Sequence, residues 1–321
     1  MIYRPYSYFG GKAKMCYRIL GLLPLVFNEW YDLFAGSGVI TINRGRPGAA
    51  HLNDWDSGIY NFFKVLSDIE KGPKLISMLL RLEYHKDIFA EAHDIVEKIE
   101  NGKMEAELYI WAVAVFADIT MSFSGMRNSF ANRSQKGDYT HKYRAQISKH
   151  LPEVHRRLRG VTITNRKAQD ILLEIAKKAT AFVYLDPPYW PASIAEGSSK
   201  KGYNRGMPAK EQIEMLEILV SGNLMYMVSG YFSEKYDEIL LGHGAVRYEL
   251  GRPYKSSQSG PSRDIAIEYI WVNYALPEVA KYYIDLSTAV TDNPRLTNNR
   301  TSVIIPPTAD MMFNTSERGC A

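Results

Sequence analysis

The stretch that most constrains the fold is an apolar run ending in two prolines, Phe182-Val183-Tyr184-Leu185-Asp186-Pro187-Pro188-Tyr189. Such a run predicts a strand that is buried on both faces, as in a parallel sheet. The prolines cannot donate backbone hydrogen bonds, so the strand is expected to end directly before Asp186. Asp186 is thereby predicted at the carboxyl end of a core strand, where ligands bind in open α/β sheets.

A carboxylate on such a turn suits chemistry at a planar exocyclic amine. This amine is a poor nucleophile, because its lone pair is delocalised into the ring. A carboxylate and a backbone carbonyl, each accepting one N–H, would draw the nitrogen towards tetrahedral geometry and free the lone pair. An aromatic side chain stacked on the base, such as Tyr189, would fix the plane of the ring.

Three stretches nearer the N-terminus predict a ligand site without phosphates. Tyr8-Phe9-Gly10-Gly11-Lys12 forms a tight bend before a helix predicted through Leu23, where Lys12 could meet a ligand carboxylate. The stretch Asp32-Leu33-Phe34-Ala35-Gly36-Ser37-Gly38 lies between a strand and a helix, and Thr41 stands where a dinucleotide site has its third glycine. Asp54 follows the second strand, where an acidic side chain can hold ribose hydroxyls.

The middle of the chain has a helical pattern followed by a basic segment. Leu108 to Met121 predicts a buried helix, and the residues from Met121 to Arg144 predict a loop. That loop mixes amides and aromatic residues with basic side chains, which is typical of a nucleic-acid face. We predict DNA contacts from Arg127, Asn128, Arg133, Lys136, Lys142, Arg144 and, in the connection of a later strand hairpin, Arg252.

Composition narrows the class further. The 39 basic and 35 acidic residues give a net charge of +4, which is compatible with nucleic acid without requiring it. The two cysteines, Cys16 and Cys320, lie far apart in sequence, so we expect a reducing cytoplasm and no metal site. No stretch is apolar enough to span a membrane.

Together these motifs resemble the Dam-like DNA adenine-N6 methyltransferases over about Tyr6 to Tyr274. The resemblance implies catalytic roles for Asp186, the Pro187 carbonyl and Tyr189, with S-adenosylmethionine as cofactor and no metal. It implies cofactor contacts from Tyr8, Phe9, Gly11, Lys12, Asp32, Phe34, Ala35, Gly36, Ser37, Gly38, Asp54 and Asp186. Leu33 replaces a proline that is frequent in the family, and residues 127–144 match its recognition loop only loosely, so the target sequence cannot be carried over.

The resemblance also implies an architecture and a reaction. We expect a doubly wound, mostly parallel α/β sheet of the Rossmann-like methyltransferase type, formed by residues 1–61 and 156–285. A helical target-recognition insert is expected at 62–155 and a polar, weakly ordered tail at 286–321. The enzyme would flip adenine out of double-stranded DNA and methylate its N6 amine directly. We expect a monomer, with a separate restriction endonuclease as a candidate partner.

Other functions remain open at this point. Cytosine-N4 methylation uses the same amine chemistry, although its motif more often starts with serine. A catalytically silent DNA-binding protein could keep the same fold. Cytosine-C5 methylation is disfavoured, because Cys16 and Cys320 do not follow proline, and protein glutamine methylation is disfavoured because its motif starts with asparagine.

Overall fold

The computed structural model describes residues 1–45, 48–133, 138–190, 206–252 and 267–292. Within them the strands are β1 (Glu29–Asp32), β2 (Ala49–Asn53), β3 (Val161–Thr164), β4 (Ala181–Leu185), β5 (Met225–Tyr231), β6 (Val246–Gly251) and β7 (Glu268–Val272). The α-helices are α1 (Cys16–Leu22), α2 (Val39–Asn43), α3 (Ser57–Ser67), α4 (Lys71–Leu79), α5 (Lys86–Glu100), α6 (Leu108–Met121), α7 (Thr140–Arg157), α8 (Ala168–Ile175), α9 (Ala209–Ser221) and α10 (Glu234–Gly242).

The strands of the described residues form one sheet in the order β3-β2-β1-β4-β5-β7-β6. The pairs from β3 to β5 are parallel, whereas β7 runs antiparallel to both β5 and β6. The chain order reverses between β1 and β4, so their carboxyl ends lie at the switch point where doubly wound sheets bind ligands. The predicted fold class and the predicted hairpin of β6 and β7 are confirmed.

The central strand β4 is buried along its whole length, as the apolar run predicted. On one face of the sheet, α1 and α2 pack over Phe182 and Trp30, whose rings stack at 5.4 Å. On the other face, α8, α9 and α10 pack over Val183 and Leu185. Both faces of β4 are covered by helices, so its end is held in one position.

The helices α3 to α7 lie between β2 and β3 in the chain and bury a hydrophobic cluster of their own around Phe62, Phe116 and Tyr143. Helix α6 covers the predicted range and is mostly buried from Ala112 to Met121, whereas Ile110 in its first turn is exposed. The expected insert boundaries, at residues 62 and 155, fall inside α3 and α7. This block therefore joins the sheet through continuous helices.

The predicted loop from Met121 to Arg144 is wrong in its last part. Helix α7 begins at Thr140, after Asp138 accepts a hydrogen bond from the Thr140 N–H at 2.8 Å. Its buried face includes Tyr143, Ile147 and Leu151. The basic residues of this segment hid the amphipathic pattern, because they occupy the exposed face of the helix.

Part of the predicted polar tail lies within the described residues and contacts the sheet. Leu286–Thr288 form a 3-10 turn, and Val290 exchanges two backbone hydrogen bonds of 2.9 Å with Arg247 of β6. Residues 293–321 lie outside the described residues. Among the helices that the structure describes, none combines the length and the apolar character needed to cross a bilayer.

Candidate active site

The carboxyl ends of β1, β2 and β4 surround a cavity of about 480 Å³, a usual size for a small-molecule site. The predicted cofactor residues that line it are Tyr8, Phe9, Gly11, Lys12, Asp32, Phe34, Ala35, Gly36, Ser37, Asp54 and Asp186. Gly38 is not among the lining residues, because it lies at the start of α2. Four stretches that are distant in sequence thus meet in one cavity.

The loop between β1 and α2 forms one wall of this cavity. Gly36 and Gly38 have φ values of +51° and +63°, which glycine adopts without strain. A Cβ atom on Gly36 would lie 2.9 Å from the ring of Tyr8, and the Tyr6 hydroxyl donates to the Gly36 carbonyl at 3.0 Å. The backbone of the loop is therefore fixed against the aromatic side chains of the N-terminal motif.

Asp54 is oriented by backbone donors. Its Oδ2 accepts from the Gly36 N–H at 2.8 Å, and its Oδ1 accepts from the Asp56 N–H at 2.9 Å. Burial, with a smaller contribution from the Asp56 carboxylate, raises the pKa of Asp54 to about 7. Each carboxylate oxygen keeps a lone pair for a ligand hydroxyl.

Asp32 forms a second acidic wall of the cavity. The Thr41 hydroxyl donates to its Oδ2 at 2.7 Å and accepts from the Trp30 indole at 2.8 Å. Its Oδ1 is buried and has no well-aligned donor among the described residues. Burial raises the pKa of Asp32 to about 7. A buried acceptor without a full complement of donors is what a site for a ligand donor requires.

Asp186 is paired with the lysine of the N-terminal motif. Lys12 Nζ lies 2.7 Å from Asp186 Oδ1, and Ser229 donates to the same oxygen at 2.9 Å. Lys12 is only 4% exposed and also lies 3.5 Å from Glu268 Oε2. Burial raises the pKa of Asp186, and the charge of Lys12 opposes that rise. The predicted catalytic carboxylate is thus held in a buried charge cluster.

The turn after Asp186 is fixed by buried polar side chains. Gln212 donates to the carbonyls of Pro188 and Met207, both at 3.1 Å, and accepts from the Tyr236 hydroxyl at 2.6 Å. Tyr189 donates from its hydroxyl to Glu268 Oε1 at 2.9 Å. These bonds restrict the turn to one geometry.

The Tyr189 ring is stacked on Tyr231, with a centroid distance of 3.9 Å and an interplanar angle of 11°. Tyr231 therefore covers one face of the ring that the sequence predicts to stack on a base. The Lys12 ammonium lies 5.4 Å from the Tyr189 centroid, within the range of a cation–π contact.

A comparison with known protein families decides the class of enzyme. The model of the D12 class N6 adenine-specific DNA methyltransferases matches residues 8–248. The chain belongs to this family. A similar protein is the Type II methyltransferase M1.LlaDCHI of Lactococcus lactis subsp. cremoris, 25% identical over 288 residues, which cover 84% of this chain and 95% of the relative.

Membership of the D12 class confirms the predicted activity, which is methylation of adenine N6 in DNA. Cytosine-N4 methylation, left open by the sequence, is not the reaction of this class. Methyltransferases of this kind use S-adenosylmethionine in general, and DNA is the substrate.

In this D12-class enzyme, Arg127 lies in a buried ion-pair cluster. Its guanidinium contacts Asp118 at 2.6 Å, Asp56 at 3.0 Å and Glu100 at 3.3 Å, and the residue is 5% exposed. Arg127 is one of the residues predicted to contact DNA; here its guanidinium faces these carboxylates at one wall of the cavity. Each of its three guanidinium nitrogens contacts one carboxylate. Because these carboxylates cap or belong to α3, α5 and α6, Arg127 links the 3-10 turn Phe123–Gly125 to all three helices.

The other residues predicted to contact DNA fall into two groups, those that bond to neighbouring residues of the protein and those that are exposed. Arg144 donates to the carbonyls of Leu82 and Arg81 at 3.0 and 2.9 Å, which closes the end of α4. Arg252 pairs with Glu249 of the same hairpin. Asn128, Arg133 and Lys142 are exposed, whereas Lys136 lies outside the described residues.

Sequence reasoning missed polar residues that strands bring to the site. Glu268 contacts Tyr189 and Lys12, and Ser229 contacts Asp186. Both residues could have been found in the sequence, because each is a polar residue within a run of apolar strand residues. Trp55, Lys167 and Gln169 also line the cavity, because β2 and β3 deliver the residues after them to the same edge.

Proposed function

We propose that this cavity carries out the adenine-N6 methylation of the D12 class. The observation that supports it best is the convergence of Asp54, the Gly36 loop and Asp186 on one cavity at the switch point of the sheet. Cofactor and amine sites would then adjoin, which methyl transfer without an enzyme-bound intermediate requires.

The cavity residues fit S-adenosylmethionine. Asp54 has backbone-held oxygens suited to ribose hydroxyls, and the buried Oδ1 of Asp32 can accept from a ligand amine. Lys12 is the nearby cation for a carboxylate. The remaining predicted residues that line the cavity, Tyr8, Phe9, Gly11 and 34–37, supply aromatic surface and close backbone.

The catalytic step follows from the turn after β4. When bound, S-adenosylmethionine supplies a methyl group activated on sulfonium. Asp186 and the Pro187 carbonyl each accept a hydrogen bond from one N–H group of adenine N6, which frees the lone pair of the nitrogen. Asp186 can take the proton that N6 loses. Tyr189 stacks on the flipped base through the ring face opposite Tyr231.

Target recognition is assigned to the helical block of residues 62–155, with Arg127 as a structural residue. Asn128, Arg133, Lys136 and Lys142 remain candidates for DNA contacts, whereas Arg144 and Arg252 have local partners. Alanine substitution of a base-reading side chain should weaken binding by about 1 to 3 kcal/mol on the target sequence alone.

We also propose a cytoplasmic monomer within a restriction–modification system, with a separate endonuclease. The support is the Type II methyltransferase among similar proteins. Light scattering after size-exclusion chromatography tests the monomer. Protection of host DNA against a nuclease encoded beside the gene tests the partnership.

Replacement of Asp186 by alanine tests the proposed site. Methyl transfer to DNA should fall by at least about a thousandfold while S-adenosylmethionine still binds, since the Gly36 loop and Asp54 stay in place. The variant should be less stable than the wild type, because Lys12 loses its partner at 2.7 Å and Glu268 lies farther away, at 3.5 Å. Tritiated methyl transfer and calorimetry provide the two readouts. Asp87→Ala, an exposed carboxylate in the first turn of α5, is the matched control. Wild-type single-turnover rates in Asp186→Ala would refute the assignment.

A further inference from the structure

A second cavity, of about 460 Å³, lies between the N-terminal segment and helices α6 and α7. Its basic lining residues are Arg4, Lys14, Arg133 and His150. Arg4 and Lys14 flank the Tyr8–Lys12 motif, Arg133 follows α6, and His150 lies in α7. Of these four residues, Arg133 alone was predicted to contact DNA.

This cavity contains positive charge without acidic neighbours. No aspartate or glutamate is among the lining residues that the structure describes. Within the described ranges, Arg4, Lys14 and Arg133 form no ion pair, unlike Lys12 and Arg127. Arg4 is half-buried, whereas Lys14 and Arg133 are exposed, so all three can meet an anion at the mouth of the cavity. Like charges repel, and an anion bound between them would offset that repulsion.

Burial disfavours the charged forms of two of these residues, Arg4 and His150. Burial lowers the pKa of the Arg4 guanidinium, and burial together with Lys149 and Arg4 lowers the pKa of His150. The Nδ1 atom of His150 is buried and lacks a hydrogen-bond partner in the described residues. Arg133, which is exposed like Lys14, donates to the Tyr139 hydroxyl at 3.3 Å. The exposed Gln146 supplies a neutral amide donor at the wall, whereas the Thr120 hydroxyl donates to the Phe116 carbonyl at 2.6 Å and lies 2.8 Å from the Tyr143 hydroxyl.

The second cavity is adjacent to the catalytic one. Gly125 lines both, and a Cβ atom on Gly125 would lie 2.7 Å from the Ser7 carbonyl. The backbone of Ser7 and Tyr8 therefore forms a thin partition between them. A nucleotide whose base enters the catalytic cavity has its own phosphates nearby, so the adjoining cavity with its positive charge can meet them.

We propose that the second cavity binds the phosphodiester backbone of the DNA strand beside the flipped adenine, with Arg4, Lys14 and Arg133 as the phosphate contacts. This inference rests on the proposed function, because it takes the adjoining cavity as the place where adenine is methylated. It assigns part of DNA binding to the N-terminal segment, outside the helical block.

The salt dependence of DNA binding tests this assignment. Neutralisation of each phosphate contact should lower the slope of log K against log salt by about one, on any sequence. We therefore expect Lys14→Gln and Arg133→Gln to lower the slope on a labelled duplex of unrelated sequence. Arg4→Gln should do the same. The readout is fluorescence anisotropy across a potassium chloride series.

Lys177→Gln is the matched control, because Lys177 is exposed and lies before β4, at the opposite edge of the sheet. Its slope should equal that of the wild type. Unchanged slopes in both Lys14→Gln and Arg133→Gln would overturn the proposal, and so would an equal loss in Lys177→Gln. Failure of the methylation assignment would appear separately, as wild-type methyl transfer in Asp186→Ala.

Discussion

At the scale of single residues, the same side-chain chemistry serves opposite purposes depending on what surrounds it. Arg127 has the sequence context of a base reader, yet its guanidinium neutralises Asp118, which is fully buried. Asp118 also lies 2.9 Å from His93 Nδ1. Asp56 caps α3 through the N–H groups of Gly58 and Ile59 while pairing with Arg127. Loss of Arg127 would therefore disturb three helices at once.

We expect Arg127→Ala to lower the free energy of unfolding by about 3 to 5 kcal/mol, because it leaves buried carboxylates without a counter-charge. Urea denaturation followed by circular dichroism measures this change. Arg133→Ala, at an exposed arginine nearby, should stay within about 0.5 kcal/mol of wild type. Equal stability of the two variants would contradict a structural role for Arg127.

At the scale of elements, the loop between β1 and α2 depends on a backbone conformation that side chains disfavour. Gly36→Ala should lose about 1 to 2 kcal/mol of stability from its positive φ. It should also weaken S-adenosylmethionine binding, because the new methyl group would meet the Tyr8 ring and shift the wall that holds Asp54. Denaturation and calorimetry on one variant measure both effects.

Gly102→Ala is the control for backbone strain. Gly102 has a similar φ of +67°, and a Cβ atom there would meet nothing within 4 Å. It follows α5, away from the cavity lining. The control should lose stability while keeping cofactor affinity. If the Gly36 loop did not contact the cofactor, Gly36→Ala would bind S-adenosylmethionine as tightly as Gly102→Ala and the wild type, and the prediction would be wrong.

At the scale of the whole molecule, buried carboxylates make the stability of the cofactor-free protein depend on pH. Burial raises the pKa of Asp54 to about 7, above the unfolded value of about 4. Between these values the folded state binds more protons than the unfolded state. The contribution of Asp54 to stability therefore falls as pH rises from about 4 to about 7, and stays constant above.

Asp54→Asn removes this titration. The free energy of unfolding of the variant minus that of the wild type should rise across this pH window and level off above it. Denaturant titrations of both proteins at several pH values provide the measurement. A difference that stays flat with pH would show that Asp54 has an ordinary pKa. Carboxylates far from Asp54 cancel in the difference, whereas the neighbouring Asp32, whose pKa is raised in part by the charge of Asp54, contributes to it.

The local patterns of the chain were enough to predict the sheet type, the buried strand β4, helix α6 and the turn that presents Asp186. The reason is that a proline turn, a glycine at positive φ and an apolar period depend on neighbours in sequence. The family resemblance implied eleven of the residues that line the cavity, among them Lys12, Asp54 and Asp186. The Dam-like resemblance supplied the order of these motifs and the identity of the cofactor.

Tertiary structure alone decided which charges are buried, paired or exposed. Arg127 meets Asp56 across 71 residues, and Tyr189 meets Glu268 across 79. The basic residues around the second cavity come from the N-terminal segment and from the helical block. The order of charged residues along the chain does not show which of them lie close together after folding. The free energy of an ionised side chain depends on burial and on its counter-charges, and only folding brings those together.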